Sequence, residues 1–372
     1  MYGFLLATIW LLAGCQANTF QVGQVSFVRR SVTVGQGPSA VAAADLDKDG
    51  HQDLVVANGL DGDLTILRGD GRGGLASLGR VPGGENPADL AFSDLDQDGN
   101  VDIVVANHDT DYLTILLGDG AGAFRAASNS PLRIDVRPHP HAIRAEDIDL
   151  DGHVDLVVDH RAGRGLFILR GMGGGAFESP GKLVEVGGDP YRGMAVGDIN
   201  GDGQLDLVTP NPREVGVLLS SDPTRMDFVQ APPVAAAAPF AVELVDLNGD
   251  DKLDLIAASD EGSRLVQLFL GNGRGGFRQA EGSPFRAAAG GKKIAVGDFN
   301  GDGVGDAAVT SWQSPEVLLL LGGSPSFRTA RLTGGEHPWG LASVDLNEDG
   351  KDDLVIVDYA HPQVTVYLSC PD

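Results

Sequence analysis

Cysteine is almost missing from this 372-residue chain, which has only Cys15 and Cys370. Two residues cannot form a disulfide framework, and Cys370 reads most simply as a free thiol near the C-terminus. Past residue 20 there is no apolar window of the roughly 18 residues a membrane helix needs. Aromatic residues make up 6% of the chain. Basic residues are also scarce: 27 Lys and Arg face 52 Asp and Glu, for a formal net charge of −25. Such a balance excludes a nucleic-acid partner, because phosphate binding needs clustered Lys and Arg. No helical period of 3.6, no nucleophile motif and no phosphate loop appears. Gly71-Arg72-Gly73-Gly74 and Gly273-Arg274-Gly275-Gly276 have no helix after them and read as turns between strands.

The apolar run from Phe4 to Ala13 is too short to span a bilayer as a mature helix and reads as a secretion signal. Leu12-Ala13-Gly14-Cys15 resembles the lipobox of bacterial lipoproteins, in which the signal is cut before Cys and the thiol is lipidated. The segment before it departs from that pattern, having no Lys or Arg. Ordinary secretion and a Cys15–Cys370 bridge are the alternatives. The expected organisation is a signal with lipobox at 1–15, a linker at 16–24 and one domain at 25–372. The expected location is the periplasm, the outer membrane through an anchor on Cys15, or the extracellular space. Membrane contact is expected only through that anchor.

What the chain does have is glycine, 53 residues of it, and acid in short clusters. One acidic pattern returns seven times. It reads Asp45, Asp47, Asp49, Gly50, Asp53, then Asp94, Asp96, Asp98, Gly99, Asp102, then Asp147, Asp149, Asp151, Gly152, Asp155. The fourth and fifth copies are Asp198, Asn200, Asp202, Gly203, Asp206 and Asp246, Asn248, Asp250, Asp251, Asp254, where Asp251 takes the glycine position. The last two are Asp298, Asn300, Asp302, Gly303, Asp306 and Asp345, Asn347, Asp349, Gly350, Asp353. Successive copies start 49, 53, 51, 48, 52 and 47 residues apart, a period in the range of propeller blades. A small apolar segment precedes each acidic loop. A β-branched run follows it, then a third apolar strand, a glycine-rich turn and a fourth strand opening on a large apolar residue. Four short antiparallel strands make one blade.

Closure is also written in the sequence. In the first six units the fourth strand starts 29 to 31 residues after the first Asp, at Leu75, Phe124, Phe177, Phe228, Phe277 and Phe327. In the seventh unit the chain ends before that strand. Phe27, 18 residues before Asp45, has the spacing of Phe228 before Asp246. Residues about 25–34 therefore complete the last blade. The expected fold is all-β: a seven-bladed β-propeller of four-stranded antiparallel blades, the last closed by the N-terminal strand.

Side-chain oxygens at positions 1, 3 and 5 can turn toward one centre, the glycine at 6 permits a sharp turn, and the Asp at 9 closes the cage. Ca²⁺, a hard cation with six to eight oxygen ligands, fits such a set, with a backbone carbonyl at position 7 and water completing it. An EF-hand would need flanking helices and a Glu at position 12, where Val56, Val105 and Val158 stand. A bare hairpin turn explains one copy but not seven clusters of like charge held close together. Up to seven Ca²⁺ are expected, the fifth site being the weakest because of Asp251, although Asp adopts left-handed backbone more readily than most residues.

These loops resemble those of the FG-GAP/VCBS family, integrin-like propellers with Asp-x-Asp-x-Asp-Gly calcium loops between two strands of a blade. The resemblance covers about residues 25–369. It implies the fold and the metal, and it leaves function open, because this fold hosts adhesion modules, lectins and parts of polysaccharide-active enzymes.

A second signature lies seven residues before the first Asp, at Pro38, Pro87, Pro140, Pro239 and Pro338, with Pro190 eight before and Gly291 in the sixth unit. These residues mark the turn into the first strand, on the face opposite the acidic loops. The residues after them vary: Ser39, Ala88, His141, Tyr191 with Arg192, Phe240, Lys292 with Lys293, and Trp339. His139 and His337 are adjacent. His141, Tyr191, Arg192, Phe240, Lys292 and Trp339 are the candidate ligand-binding set around one mouth of the channel, suited to a sugar or an anion. The alternative is packing on neighbouring blades. Arg144 and Glu243 stand where other units have Ala42, Ala91, Ala195, Ala295 and Ala342, and either pair or line the channel. His139 and His141 lack an evident acidic third ligand for zinc. The leading expectation is a monomeric binding module for a glycan or protein partner. A polysaccharide-active enzyme and a purely structural scaffold are the alternatives.

Overall fold

The structure is a computed structural model and describes residues 19–23, 25–134, 140–159, 165–186, 193–259, 262–323 and 326–370. Its strands form seven antiparallel sheets of four or five strands, which are the seven blades. Blade 1 is Pro38–Ala44, Asp53–Asn58, Asp63–Gly69 and Leu75–Pro82. The same up-and-down order recurs in blades 2 to 6. Short fifth strands join blades 2, 4 and 5 at Leu132–Arg133, Val234–Ala235 and Phe285–Arg286. The one helical turn among the described residues is 3₁₀, Pro223–Arg225, between the third and fourth strands of blade 4.

Blade 7 closes the ring. Val25–Thr33 pairs antiparallel with Gln363–Ser369, in register from Phe27 opposite Ser369 to Thr33 opposite Gln363. The seal is apolar: Phe27 is fully buried and meets the Tyr367 ring edge-on at 5.9 Å. Phe20–Val22, inside the stretch read as linker, adds an outer strand to this blade. Blade 3 departs from the repeat. Phe177 makes only a single bridge to Gly171, and the fourth strand begins later, at Lys182–Glu185. Pro180 intervenes, and proline cannot donate to a strand ladder.

The β-branched runs have a packing reason. The second strand of each blade lies inside its sheet with another sheet on either side, so both faces are covered; Leu54, Val55, Val56 and Ala57 are all fully buried. Seven apolar clusters sit between the blades, one at each seam. The first strands of neighbouring blades pack on one another around the central axis. Each first strand runs from the channel mouth to an acidic loop, so the two features lie at opposite ends of the ring.

Cys370 is disulfide-bonded, which corrects its reading as a free thiol; its partner lies outside the described residues. The signal, the lipobox and Cys15 also lie outside them, as do His139, Pro190, Tyr191 and Arg192.

Candidate functional site: seven acidic loops and a channel

Each acidic loop joins the first and second strands of its blade. Its path needs two left-handed residues. Position 4 has φ between 57° and 77° in all seven loops, and position 6 between 60° and 89°. Asp251 adopts this conformation at φ 60°, so the fifth loop keeps the common path without glycine. The position 1 carboxylate accepts the backbone N–H of position 6, as in Gly50 to Asp45 at 3.0 Å and Asp251 to Asp246 at 2.7 Å.

Position 9 opens the second strand and has a second duty. Asp53 is fully buried, and its carboxylate takes the Leu46 N–H at 2.9 Å and the Gly69 N–H at 2.8 Å. The other six loops repeat both bonds, from Leu95 and Gly118 in the second to Leu346 and Ser369 in the seventh. The residue therefore staples the loop to the third strand. Burial pushes Asp155, Asp206 and Asp254 up to about 6, and Asp306 and Asp353 up to about 7, against the pull of the donated N–H groups. A cation in the loop acts in the opposite sense, favouring the charged carboxylate.

In loops 1, 2 and 3 the carboxylates at positions 1, 3 and 9 each bring an oxygen within 4.8 Å of the others, an arrangement that could hold a metal ion. Loops 4 to 7 have Asn at position 3, which supplies an amide oxygen. The fit can be judged by what the loops leave unsatisfied. Asp45 Oδ1 and Asp349 Oδ2 are buried without a hydrogen-bond partner. A buried anionic oxygen with no donor is costly, and a hard cation supplies what it lacks. The donor set thus fits a divalent ion bound through oxygen.

At the other end of the first strands a cavity of about 280 Å³ opens on the axis, lined from all seven blades. His141, Phe240, Lys292 and Trp339 line it together, with Ser39, Ala88 and Lys293. Phe240 is only 4% exposed and belongs to the core between blades 5 and 6, so its weight is in packing. Trp339 lies at the rim. Lys292 Nζ stands 4.0 Å from the Trp339 ring centre, and Tyr359 and Trp312 lie 5.0 and 6.4 Å from that ring. His108 and His141 face each other at 4.3 Å. His337 is beside the mouth, its Nδ1 donating to the Trp312 carbonyl at 3.1 Å.

Deeper in the channel, Arg144 does pair with Glu243, across the ring, at 2.8 Å. Beside it Lys293 pairs with Asp89 at 2.8 Å, and Arg144 stands 3.7 Å from Asp89. Two cations and two anions thus cancel. Asp89 and Lys293 replace the small residues Ala40, Ala142, Ala241 and Gly340 two positions after the proline. Asp89 went unread in the sequence, although its break from that small-residue pattern was visible. His108, Trp312 and Tyr359 were missed too; each directly follows a second strand.

The geometry defines a closed β-propeller with an acidic loop in every blade, three of which group carboxylates that could hold a metal ion. Models of the FG-GAP-like repeat match residues 45–105, 94–158 and 246–309, and one of the FG-GAP repeat matches 191–219. The chain belongs to the FG-GAP repeat family. It is 33% identical over 221 residues to integrin alpha-V of Gallus gallus, a match covering 49% of this chain and 21% of that protein. The chain therefore spans about a fifth of that relative. Among solved structures it resembles BBS1N, crystallised in complex with ARL6DN, at TM-score 0.62 and 13% identity, over 92% of this chain and 95% of that one. It also resembles an Agrocybe aegerita lectin, described by its recognition of non-reducing terminal N-acetylglucosamine, at TM-score 0.57 and 18% identity, over 93% and 86% of the two chains. At such identities the likeness is one of fold.

Proposed function

We propose that this chain is an exported, calcium-loaded binding module whose channel mouth takes a glycan. The observation that carries the reading is Trp339, an indole on the rim of an open cavity with Lys292 and Tyr359 against it. An aromatic face accepts the C–H side of a sugar ring, and the polar side chains beside it suit hydroxyl groups. The four charges below are mutually paired, which suits a binding floor better than acid–base chemistry. A glycan and polysaccharide screen of the calcium-loaded protein tests this, with product analysis and the Trp339→Ala variant in parallel. Binding without cleavage, lost in the variant, supports the reading. Cleavage products move the assignment to a polysaccharide-active enzyme, and no glycan bound overturns it in favour of a protein partner.

Each loop holds one Ca²⁺ in this reading, through positions 1, 3, 5 and 9 and the carbonyl at 7. The unpartnered oxygens of Asp45 and Asp349 support it. Binding to native loops alone couples calcium to stability by mass action. Chelation should lower the melting temperature by many degrees, and an unchanged value refutes the metal. Integrin likeness suggests an extracellular or exported protein, and no described helix is long and apolar enough to cross a membrane. The chain has no third cysteine, so lipid on Cys15 and a Cys15–Cys370 bridge exclude each other; the mass of the mature chain before and after reduction tells which one holds. The closed ring leaves no blade seam open, which supports a monomer, checked by sedimentation.

A further inference from the structure

Seven copies of one loop make each an internal control for the others, and the third differs. The residue just before the bond to position 9 is leucine in five blades: Leu117, Leu219, Leu270, Leu321 and Leu368. In blades 1 and 3 it is arginine, Arg68 and Arg170. Arg68 stands farther off, 3.8 Å from Asp47 with half its side chain exposed and no hydrogen bond to it. Arg170 turns in. Its guanidinium hydrogen-bonds Asp149, the fully buried position 3 carboxylate, and its Nε lies 4.0 Å from Asp151 at position 5.

The neighbouring blade explains the difference. In blades 1, 3 and 6 the turn after the third strand is glycine-rich and docks on the acidic loop of the preceding blade. The N–H of Gly73 reaches the Leu346 carbonyl at 2.8 Å, that of Gly175 reaches Leu95 at 2.9 Å, and that of Gly323 reaches Leu247 at 2.9 Å. In blade 4 this turn is the 3₁₀ segment Pro223–Arg225. There the Thr224 carbonyl accepts from Arg170 Nη2 at 3.2 Å. Arg170 thus fills the gap between loop 3 and a turn of different shape, with one end on the loop acids and the other on blade 4.

We infer that Arg170 is an internal competitor for the cation of the third loop, so that this loop takes Ca²⁺ only after the guanidinium has swung out and fills last of the seven. The inference rests on the calcium reading above. A monovalent guanidinium on the position 3 ligand neutralises part of the charge that recruits the ion and occupies its oxygens. With 40% of its side chain exposed, Arg170 has solvent to move into. Filling loop 3 would also free Arg170 from Thr224, which makes the seam between blades 3 and 4 sensitive to calcium in the range where the last ion binds.

Native mass spectrometry of the metal-free full chain, titrated with calcium alone, counts bound ions directly. In Arg170→Leu, the residue of five sister blades, the final ion should bind at about ten- to hundredfold lower free calcium, as expected for removing one charge-assisted contact. Arg68→Leu should shift its isotherm much less. In the background Asp149→Asn the Arg170→Leu gain should vanish, which assigns it to loop 3. Arg170→Gln, which keeps length and polarity, serves if the leucine variant folds poorly and should shift in the same direction. Isotherms of Arg170→Leu and Arg170→Gln that overlay wild type overturn the inference while leaving calcium binding intact. A wild-type chain that binds no ions overturns both.

Discussion

The ion pair across the channel offers a sharp test of how the ring holds unlike residues at its centre. Arg144 and Glu243 contact at 2.8 Å, with 24% and 21% of their side chains exposed. At an effective dielectric of about 20, charges about 4 Å apart attract by about 4 kcal/mol, and partial desolvation offsets much of it. Removing one partner leaves a charge facing the channel without its match. Arg144→Ala leaves two anions with Lys293, and Glu243→Ala leaves two cations with Asp89. Each single variant should lose about 2–3 kcal/mol, less than the roughly 3–5 of a fully buried pair because both side chains are part-exposed. Alanine already stands at this position in five blades, so the double variant should lie within about 1 kcal/mol of wild type. Urea unfolding at saturating calcium measures all four corners of the cycle. An additive cycle, or singles that each lose under about 0.5 kcal/mol, refutes the reasoning.

The same pair has a pH signature with a definite sign. Burial pushes the Glu243 carboxyl up, and Arg144 and Lys293 oppose it. In Arg144→Ala the opposition weakens, so the folded chain binds a proton more tightly than the unfolded chain does. Stability then falls as pH rises from the unfolded value through the folded one. Arg144→Ala should therefore be less damaging at pH 5 than at pH 8.

Three further outcomes follow from single contacts. Phe27→Ala removes a fully buried ring from the closing strand and should cost about 3–5 kcal/mol, read as a lower denaturation midpoint. Asp251→Gly relieves a left-handed conformation at φ 60° and should stabilise the chain by about 1 kcal/mol at saturating calcium; a loss would show that the side chain has another task. His361 Nδ1 lies 2.8 Å from Asp358 Oδ2, a hydrogen bond that raises the imidazole above its ordinary 6.5. Its contribution is fully present below 6.5 and is lost as pH rises through the folded value. Proton NMR should show a midpoint above about 6.5 that falls toward that value in Asp358→Asn, Glu336 still holding it slightly up; the fold should accept the change because Asn58, Asn107 and Asn211 hold the same place in blades 1, 2 and 4.

The blade count, the closing strand and the acidic loops were legible because each depends on spacing along the chain. A period near 50 residues and a Phe27 at the right distance from Asp45 carry their meaning in one dimension. The channel network was only half legible. Arg144 and Glu243 broke a visible pattern, but their partners are 99 residues apart, and Lys293 and Asp89 are 204 apart. Such pairing depends on where each blade stands around the axis, which local spacing does not encode. Phe240 belongs to two places at once, the cavity lining and the core. Its place after a proline matched the mouth residues, yet it turns into the seam between blades 5 and 6.

What separates structure from function in this ring is departure from the repeat, and the departures are of two kinds. Some are compensated inside the molecule: Asp89 by Lys293, Arg144 by Glu243, and Arg170 by the acids of its own loop. These alter stability or metal binding and present no net charge to a ligand. Trp339 is of the other kind. It has aromatic neighbours and a lysine against it, and it lines the open cavity without a charge partner of its own to neutralise. An aromatic residue held at an opening by its neighbours is pre-organised for a ligand's apolar face. That is the physical reason to begin mutagenesis at Trp339 and not among the buried charges.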